Sequence, residues 1–179
     1  MPQSDGVAYL LDHSGSMVDK WDLATFELTR SLEAITPRRV PMTIFLFADT
    51  PQPFSNDLVP AEYKTVRRAL EWMKLQGKPR AGRTTNLAPG LIRALKLRTI
   101  DTVYLVTDGM GREDPEQLRA AIARLNRGRR EMVRIHTVLL NQAGAPVKLD
   151  TAVENPKDTP QAALLRGLAR DSGGIFAHN

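Results

Sequence analysis

Five short apolar runs, with helical stretches between them, constrain this chain more than any other feature of its sequence. They are Val7 to Leu11, Met42 to Ala48, Thr102 to Thr107, Arg134 to Leu140 and Ile175 to Ala177. The second is apolar enough to be covered on both faces, and the fourth carries the β-branched Ile135, Thr137 and Val138. Between the runs, apolar residues recur every three or four positions. Val18 to Ile35 places Trp21, Ala24, Leu28, Leu32 and Ile35 on one stripe and leaves Glu27 and Arg30 for water; Pro37 ends it. Glu62 to Leu75 does the same with Tyr63, Val66, Leu70 and Met73, with Trp72 near that face as a core residue. Leu87 to Leu97 is a third helix with Pro89 in its first turn, and Asp114-Pro115 opens a fourth that runs to about Arg127. Pro160 opens the last, to about Arg170, after a long Asn141 to Thr159 loop with room for a turn or two.

Strands that alternate with helices make a mainly parallel sheet covered on both sides. The stretch Asp49 to Pro60, rich in proline, holds a short strand around Phe54 that follows its predecessor too closely for a crossover helix, so it pairs antiparallel at an edge. The expectation is a doubly wound, three-layer α/β/α Rossmann-like sheet of six strands, five parallel and one short and antiparallel. All of it falls in one domain, residues 1–179, a length that a single core can support. In such sheets ligands bind beyond the carboxyl ends of the strands, where the strand order reverses.

Composition narrows the function classes. With no cysteine, disulfides, thiol nucleophiles and cysteine-ligated zinc are all excluded. No run approaches the roughly 18 apolar residues that span a bilayer, and the Met1-Pro2-Gln3-Ser4 start is no signal peptide. A cytoplasmic setting is the default, and a domain cut from a longer chain fits equally. Net charge is +5, and arginines cluster at Arg67-Arg68, Arg93 to Arg98 and Arg119 to Arg134. Aromatics are 6% of the residues and none interleaves with those runs, so nucleic acid is not the expected partner.

The chemistry gathers at three strand ends. After the first strand, Asp12, Ser14 and Ser16 present one carboxylate and two hydroxyls at i, i+2 and i+4, across a turn loosened by Gly15. Hard oxygen donors of low charge suit Mg²⁺ or Mn²⁺. The same residues also suit a helix cap, with Ser16 at the cap and Asp19 three residues on. Gly82-Arg83-Thr84-Thr85-Asn86 offers further hydroxyls just before a helix, and Thr107-Asp108-Gly109 closes the fourth parallel-type strand. Each alone has a plain reading as a cap or a turn; together they offer one oxygen cage that is rich in hydroxyls and poor in carboxylates.

At these residues the chain resembles the von Willebrand factor A domain, which carries Asp-x-Ser-x-Ser after its first strand, a Thr in a second loop and an Asp after its fourth strand. The resemblance extends over essentially the whole chain, with its antiparallel edge strand and the Gly173-Gly174 before the last strand. It implies a metal-ion-dependent adhesion site with Asp12, Ser14, Ser16, Thr85 and Asp108 as ligands of Mg²⁺, or of Mn²⁺ or Ca²⁺. Thr85 fits better than Thr84 because Gly90 lies five residues after it. It further implies a protein partner that presents an Asp or Glu carboxylate, read by a rim of His13, Met17, Arg83, Met110 and Arg112 on a monomeric domain. Some members of that family couple a shift of the last helix to ligand binding.

Two rivals stand beside adhesion. Asp108-Gly109-Met110-Gly111 is similar to a short stretch in some metal-dependent phosphatases, but those sites need several His and Asp ligands. Only His13, His136 and His178 exist here, and Ser14 stands where a phosphatase start would need a carboxylate. A non-enzyme is therefore expected. The other rival is a purely structural domain of the same family whose cage holds no metal.

Overall fold

Runs of β-branched and aromatic residues alternating with amphipathic helices build what they predict. The computed structural model describes residues 6–109, 111–150, 153 and 155–179. Strand β1, Val7–Asp12, is buried along its whole length. A single 3-10 turn over Gly15–Met17 precedes helix α1, Trp21–Ile35, and a second over Thr36–Arg38 ends on Arg39 with φ +52°. Strand β2 is Pro41–Phe47, followed by two-residue strands β3, Gln52–Pro53, and β4, Val59–Pro60. Helices α2, Tyr63–Gln76, and α3, Leu87–Leu95, lead to β5, Thr102–Thr107. Helix α4, Pro115–Arg127, strand β6, Arg134–Leu139, strand β7, Lys148–Asp150, helix α5, Pro160–Ser172, and strand β8, Phe176–His178, complete the chain.

The sheet runs β3-β2-β1-β5-β6-β8-β7, with β4 also paired to β2. β2, β1, β5, β6 and β8 are mutually parallel, as expected. β3 is the antiparallel edge strand; it lies just before Phe54, whose N–H still donates to the Ile44 carbonyl at 2.8 Å. Two further antiparallel pairings depart from the six-strand expectation. β4 pairs with the start of β2, and β7, inside the Asn141 to Thr159 loop, pairs with β8 at the opposite edge. Both are short segments that become strands only because a free sheet edge offers them partners.

Alternation along β1 sorts the core. Ala8 and Leu10 share one core cluster with Leu91 and Ala94 of α3, Ile122 of α4 and Leu165 of α5, whereas Tyr9 and Leu11 share the other with Trp21, Leu28 and Leu32 of α1 and Ala69 and Met73 of α2. Tyr63 is a correction: at the first residue of α2 it is 86% exposed, and the buried stripe of the helix is Val66, Ala69 and Met73. The expected Asp114 cap forms, and the structure adds a second at Thr159. The Asp114 carboxylate accepts from the Gln117 N–H at 2.8 Å, and the Thr159 hydroxyl accepts from Ala162.

The long loop is held down by a buried ion-pair cluster. Arg166 of α5, only 3% exposed, donates from Nε to Asp158 at 2.6 Å and from a terminal nitrogen to Asp150, the last residue of β7, at 3.0 Å. Its guanidinium lies 4.3 Å from the centre of the Phe176 ring in β8. The Asp158 and Asp150 carboxylates hold its pKa above the usual guanidinium value, against the desolvation that lowers it.

Candidate functional site

The strand order reverses between β1 and β5: the chain leaves β1 for β2 on one side and returns to β5 on the other. Asp12 ends β1, and Thr107-Asp108 ends β5 beside it. Parallel pairing and the crossovers thus bring together residues almost a hundred positions apart.

The Asp12 carboxylate is wholly buried. One oxygen accepts from the Ser14 N–H at 2.8 Å, and the other accepts from the Thr107 hydroxyl at 2.5 Å and the Thr85 hydroxyl at 3.4 Å. Desolvation pushes its pKa up from the carboxylate range; the hydrogen bonds from Thr107 and Ser14 oppose that, and the nearby Asp108 adds to it. From Thr85 the chain of contacts continues to Ser14 Oγ at 3.1 Å, from Ser14 Oγ to Ser16 Oγ at 3.2 Å, and from Ser16 Oγ to Asp108 Oδ1 at 2.8 Å. All five expected ligand residues therefore sit in one continuous cluster. Thr84 does not: its hydroxyl donates to Asp49 at 2.6 Å, which separates the two candidate threonines.

Neither serine serves as a helix cap. Lys20 stands at the N-cap of α1 with no side-chain cap bond, and Ser14, which precedes the 3-10 turn, makes none either. Asn86 likewise makes no cap bond; the Glu113 carboxylate accepts from the Leu87 and Ala88 N–H groups at 2.7 and 3.0 Å and caps α3 from across the site. The hydroxyls are thus left to one another and to the two carboxylates.

The spacing suits a small dication. Adjacent ligands of an octahedral Mg²⁺, each about 2.1 Å from the ion, lie about 3.0 Å apart. The Thr85–Ser14 and Ser14–Ser16 oxygen pairs, at 3.1 and 3.2 Å, are close to that edge length. Among the described residues no group of three His, Asp or Glu side chains is placed to hold a metal, so any ion here would depend mainly on hydroxyls.

Two participants carry no clear sequence signal. Thr107, wholly buried, also ties its loop by bonding both the N–H and the carbonyl of Gly109. Lys20, at the N-cap of α1, reaches back toward the 3-10 turn: its ammonium lies 2.6 Å from Asp108 Oδ2 and 3.4 Å from the Ser16 carbonyl, and the Asp108 side chain is only 3% exposed. A hydroxyl ending a strand beside an Asp was the available hint for Thr107; for Lys20 there was none.

The expected rim is only partly a rim. Arg83 and Arg112 are exposed. Met17 is a correction: the 3-10 turn swings it inward, and it is fully buried against Ala24 and Leu140. His13 is also mostly buried, with Nε2 2.9 Å from the Gly77 carbonyl and its ring edge-on to Trp21. Burial lowers its pKa, with Arg83 and Arg80 adding to the effect against the Gly77 bond and Asp12. Met110 lies outside the described residues.

Comparison with solved structures identifies the fold. A von Willebrand factor type A protein from Catenulispora acidiphila superposes with a TM-score of 0.74 at 17% identity, over 99% of this chain and 39% of that one. The BatB protein of Bacteroides thetaiotaomicron gives 0.67 at 16% identity, over 97% of this chain and 89% of that one. Proximal thread matrix protein 1 from the mussel byssus gives 0.63 at 16% identity, over 96% of this chain and 40% of that one. No family model matches the chain, and no curated protein matches its sequence.

Proposed function

From a von Willebrand factor A fold, which suits a protein-interaction module, we propose a divalent-metal-dependent protein-binding domain whose ion is held by Asp12, Ser14, Ser16, Thr85 and Asp108. The observation that carries this is the unbroken chain of carboxylate and hydroxyl contacts at the switch point of the sheet. A bound dication there supplies a Lewis-acidic centre able to accept one carboxylate oxygen from a partner's Asp or Glu.

The protein's own residues explain why that centre would stay electron-poor. Three of the five proposed ligands are neutral hydroxyls, and only the Asp12 and Asp108 carboxylates would offset the charge of the ion. Thr107 and the Ser14 N–H fix the Asp12 carboxylate from behind, so its orientation does not depend on the ion. Arg83 and Arg112, exposed beside the cluster, are suited to further acidic groups on the partner.

Binding is favoured over catalysis by how the histidines are used. His13 is engaged with Gly77, His136 accepts from the Ile175 N–H at 3.1 Å, and His178 lies 3.5 Å from Asp150. Among the described residues, none hydrogen-bonds to Ser14, Ser16 or Thr85 as a general base would.

The test is calorimetric titration of EDTA-treated protein with Mg²⁺ and Mn²⁺, then with acetate or an acidic peptide. One equivalent of metal, followed by carboxylate binding that requires it, is the expected result. Asp12→Ala should abolish metal binding, and Asp108→Ala should weaken it less, because Asp108 shares its charge with Lys20. Unchanged Mg²⁺ affinity in the Asp12 variant would overturn the assignment; metal binding without carboxylate binding would favour a structural role.

A further inference from the structure

A second feature lies against the Asp12 loop and is not part of the ligand cluster. A cavity of about 230 Å³ is lined by His13, Gln52, Leu75, Gln76, Arg80 and Arg83. Its wall holds two guanidiniums and two amides but no carboxylate. The larger cavities differ in this respect: Asp101 and Glu131, Asp22, and Asp57 stand in their respective walls. Both arginines are exposed, and neither is paired with a carboxylate among the described residues.

The cavity is built onto the ligand loop. The Gly15 N–H donates to the Arg83 carbonyl at 3.3 Å. A Cβ on Gly15 would come within 2.9 Å of Ala81 Cα and 3.1 Å of the Arg80 carbonyl oxygen, so glycine is what lets the Arg80–Arg83 segment lie this close. His13, bonded between Asp12 and Ser14 in the chain, forms part of the cavity wall.

We propose that this cavity is a second acidic subsite, which binds a carboxylate of the same partner whose first carboxylate meets the metal cluster. The inference rests on the metal-dependent reading above and sharpens it: the partner presents two acidic side chains a few residues apart, not one. Arginine forks recognise carboxylates in two-point contacts, and the neutral Gln52 and Gln76 amides add donors without adding a competing negative charge.

The experiment compares two short peptides on Mg²⁺-loaded protein at low salt. One carries a single Glu in a neutral sequence, and the other carries two Glu separated by two or three neutral residues. The second should bind about tenfold tighter, the scale of one charge-assisted contact. Arg80→Gln should erase that gain while leaving Mg²⁺ affinity and one-Glu binding unchanged, and Arg80→Lys should restore part of it. Equal affinity for the two peptides, or a gain that survives Arg80→Gln, would overturn the subsite. The same pair in EDTA separates the two claims. Residual binding of the two-Glu peptide that Arg80→Gln removes supports the cavity even if the one-Glu peptide never responds to metal; loss of metal dependence alone would count against the adhesion reading.

Discussion

Replacing Lys20 with Met tests whether its ammonium and a dication compete for the same carboxylate. The ammonium lies 2.6 Å from Asp108 Oδ2, with the two side chains 19% and 3% exposed. Removing one partner of a fully buried pair costs about 3–5 kcal/mol, whereas an exposed pair is worth about 1 kcal/mol or less. Lys20 is one-fifth exposed, and Asp108 would retain Ser16 Oγ at 2.8 Å, so a loss of about 2 kcal/mol is expected in metal-free protein. For a domain of this size that is a fall of about 4–8 °C in Tm. If an incoming ion must displace the ammonium from Asp108, the same energy should appear as a gain in metal affinity of about ten- to thirtyfold. The assay is differential scanning calorimetry with EDTA and with saturating Mg²⁺, alongside a Mg²⁺ titration of each protein. The stability gap should narrow when metal is added, and Lys20→Arg should behave like the parent. An equal loss of Tm in both conditions, with unchanged Mg²⁺ affinity, would refute the competition and leave Lys20 an ordinary structural bond.

Other outcomes follow from the same packing. Arg166→Met should destabilise the domain by about 3 kcal/mol, because it leaves the nearly buried Asp158 carboxylate without its guanidinium, whereas Asp150 is one-third exposed and keeps His178. Denaturant unfolding measures this, and a loss under 1 kcal/mol would mean that the loop re-solvates both carboxylates freely. The His136 pKa is lowered by burial and by Arg134, against Asp101, and the imidazole must be neutral for Nδ1 to accept from Ile175. Its contribution to stability is therefore present above the unfolded pKa of about 6.5 and is lost as pH falls through the lower folded value. His136→Gln should flatten that part of the stability–pH curve, and NMR titration should place the His136 midpoint below that of a free histidine.

What could be read from the sequence divides by the range of the interactions. The β-α alternation, the Asp114 cap and the Asp12 loop are set by neighbours within a few residues, so their residue types announce them. β4 and β7 are two and three residues long and polar or proline-bearing; they exist because β2 and β8 leave an unpaired edge, which no local pattern encodes. Met17 was misplaced for a related reason. An apolar residue after a hydroxyl-rich loop looks exposed until the 3-10 turn sets the direction of its side chain. Asp108 and Thr85 are legible as strand-end and helix-start residues respectively, whereas Lys20 is hidden because its partner is 88 residues away.

The arginine that fastens the long loop also ties the last helix to the sheet edge. Arg166 sits midway along α5 and grips Asp158 before that helix and Asp150 on the edge strand, with Phe176 beneath it. Sliding α5 by one turn, about 5.4 Å, would carry Asp158 along but pull the guanidinium away from Asp150, now 3.0 Å distant on another element. In this arrangement the helix is latched to the edge strand, so any lengthwise shift of α5 would first have to break the Arg166–Asp150 bond.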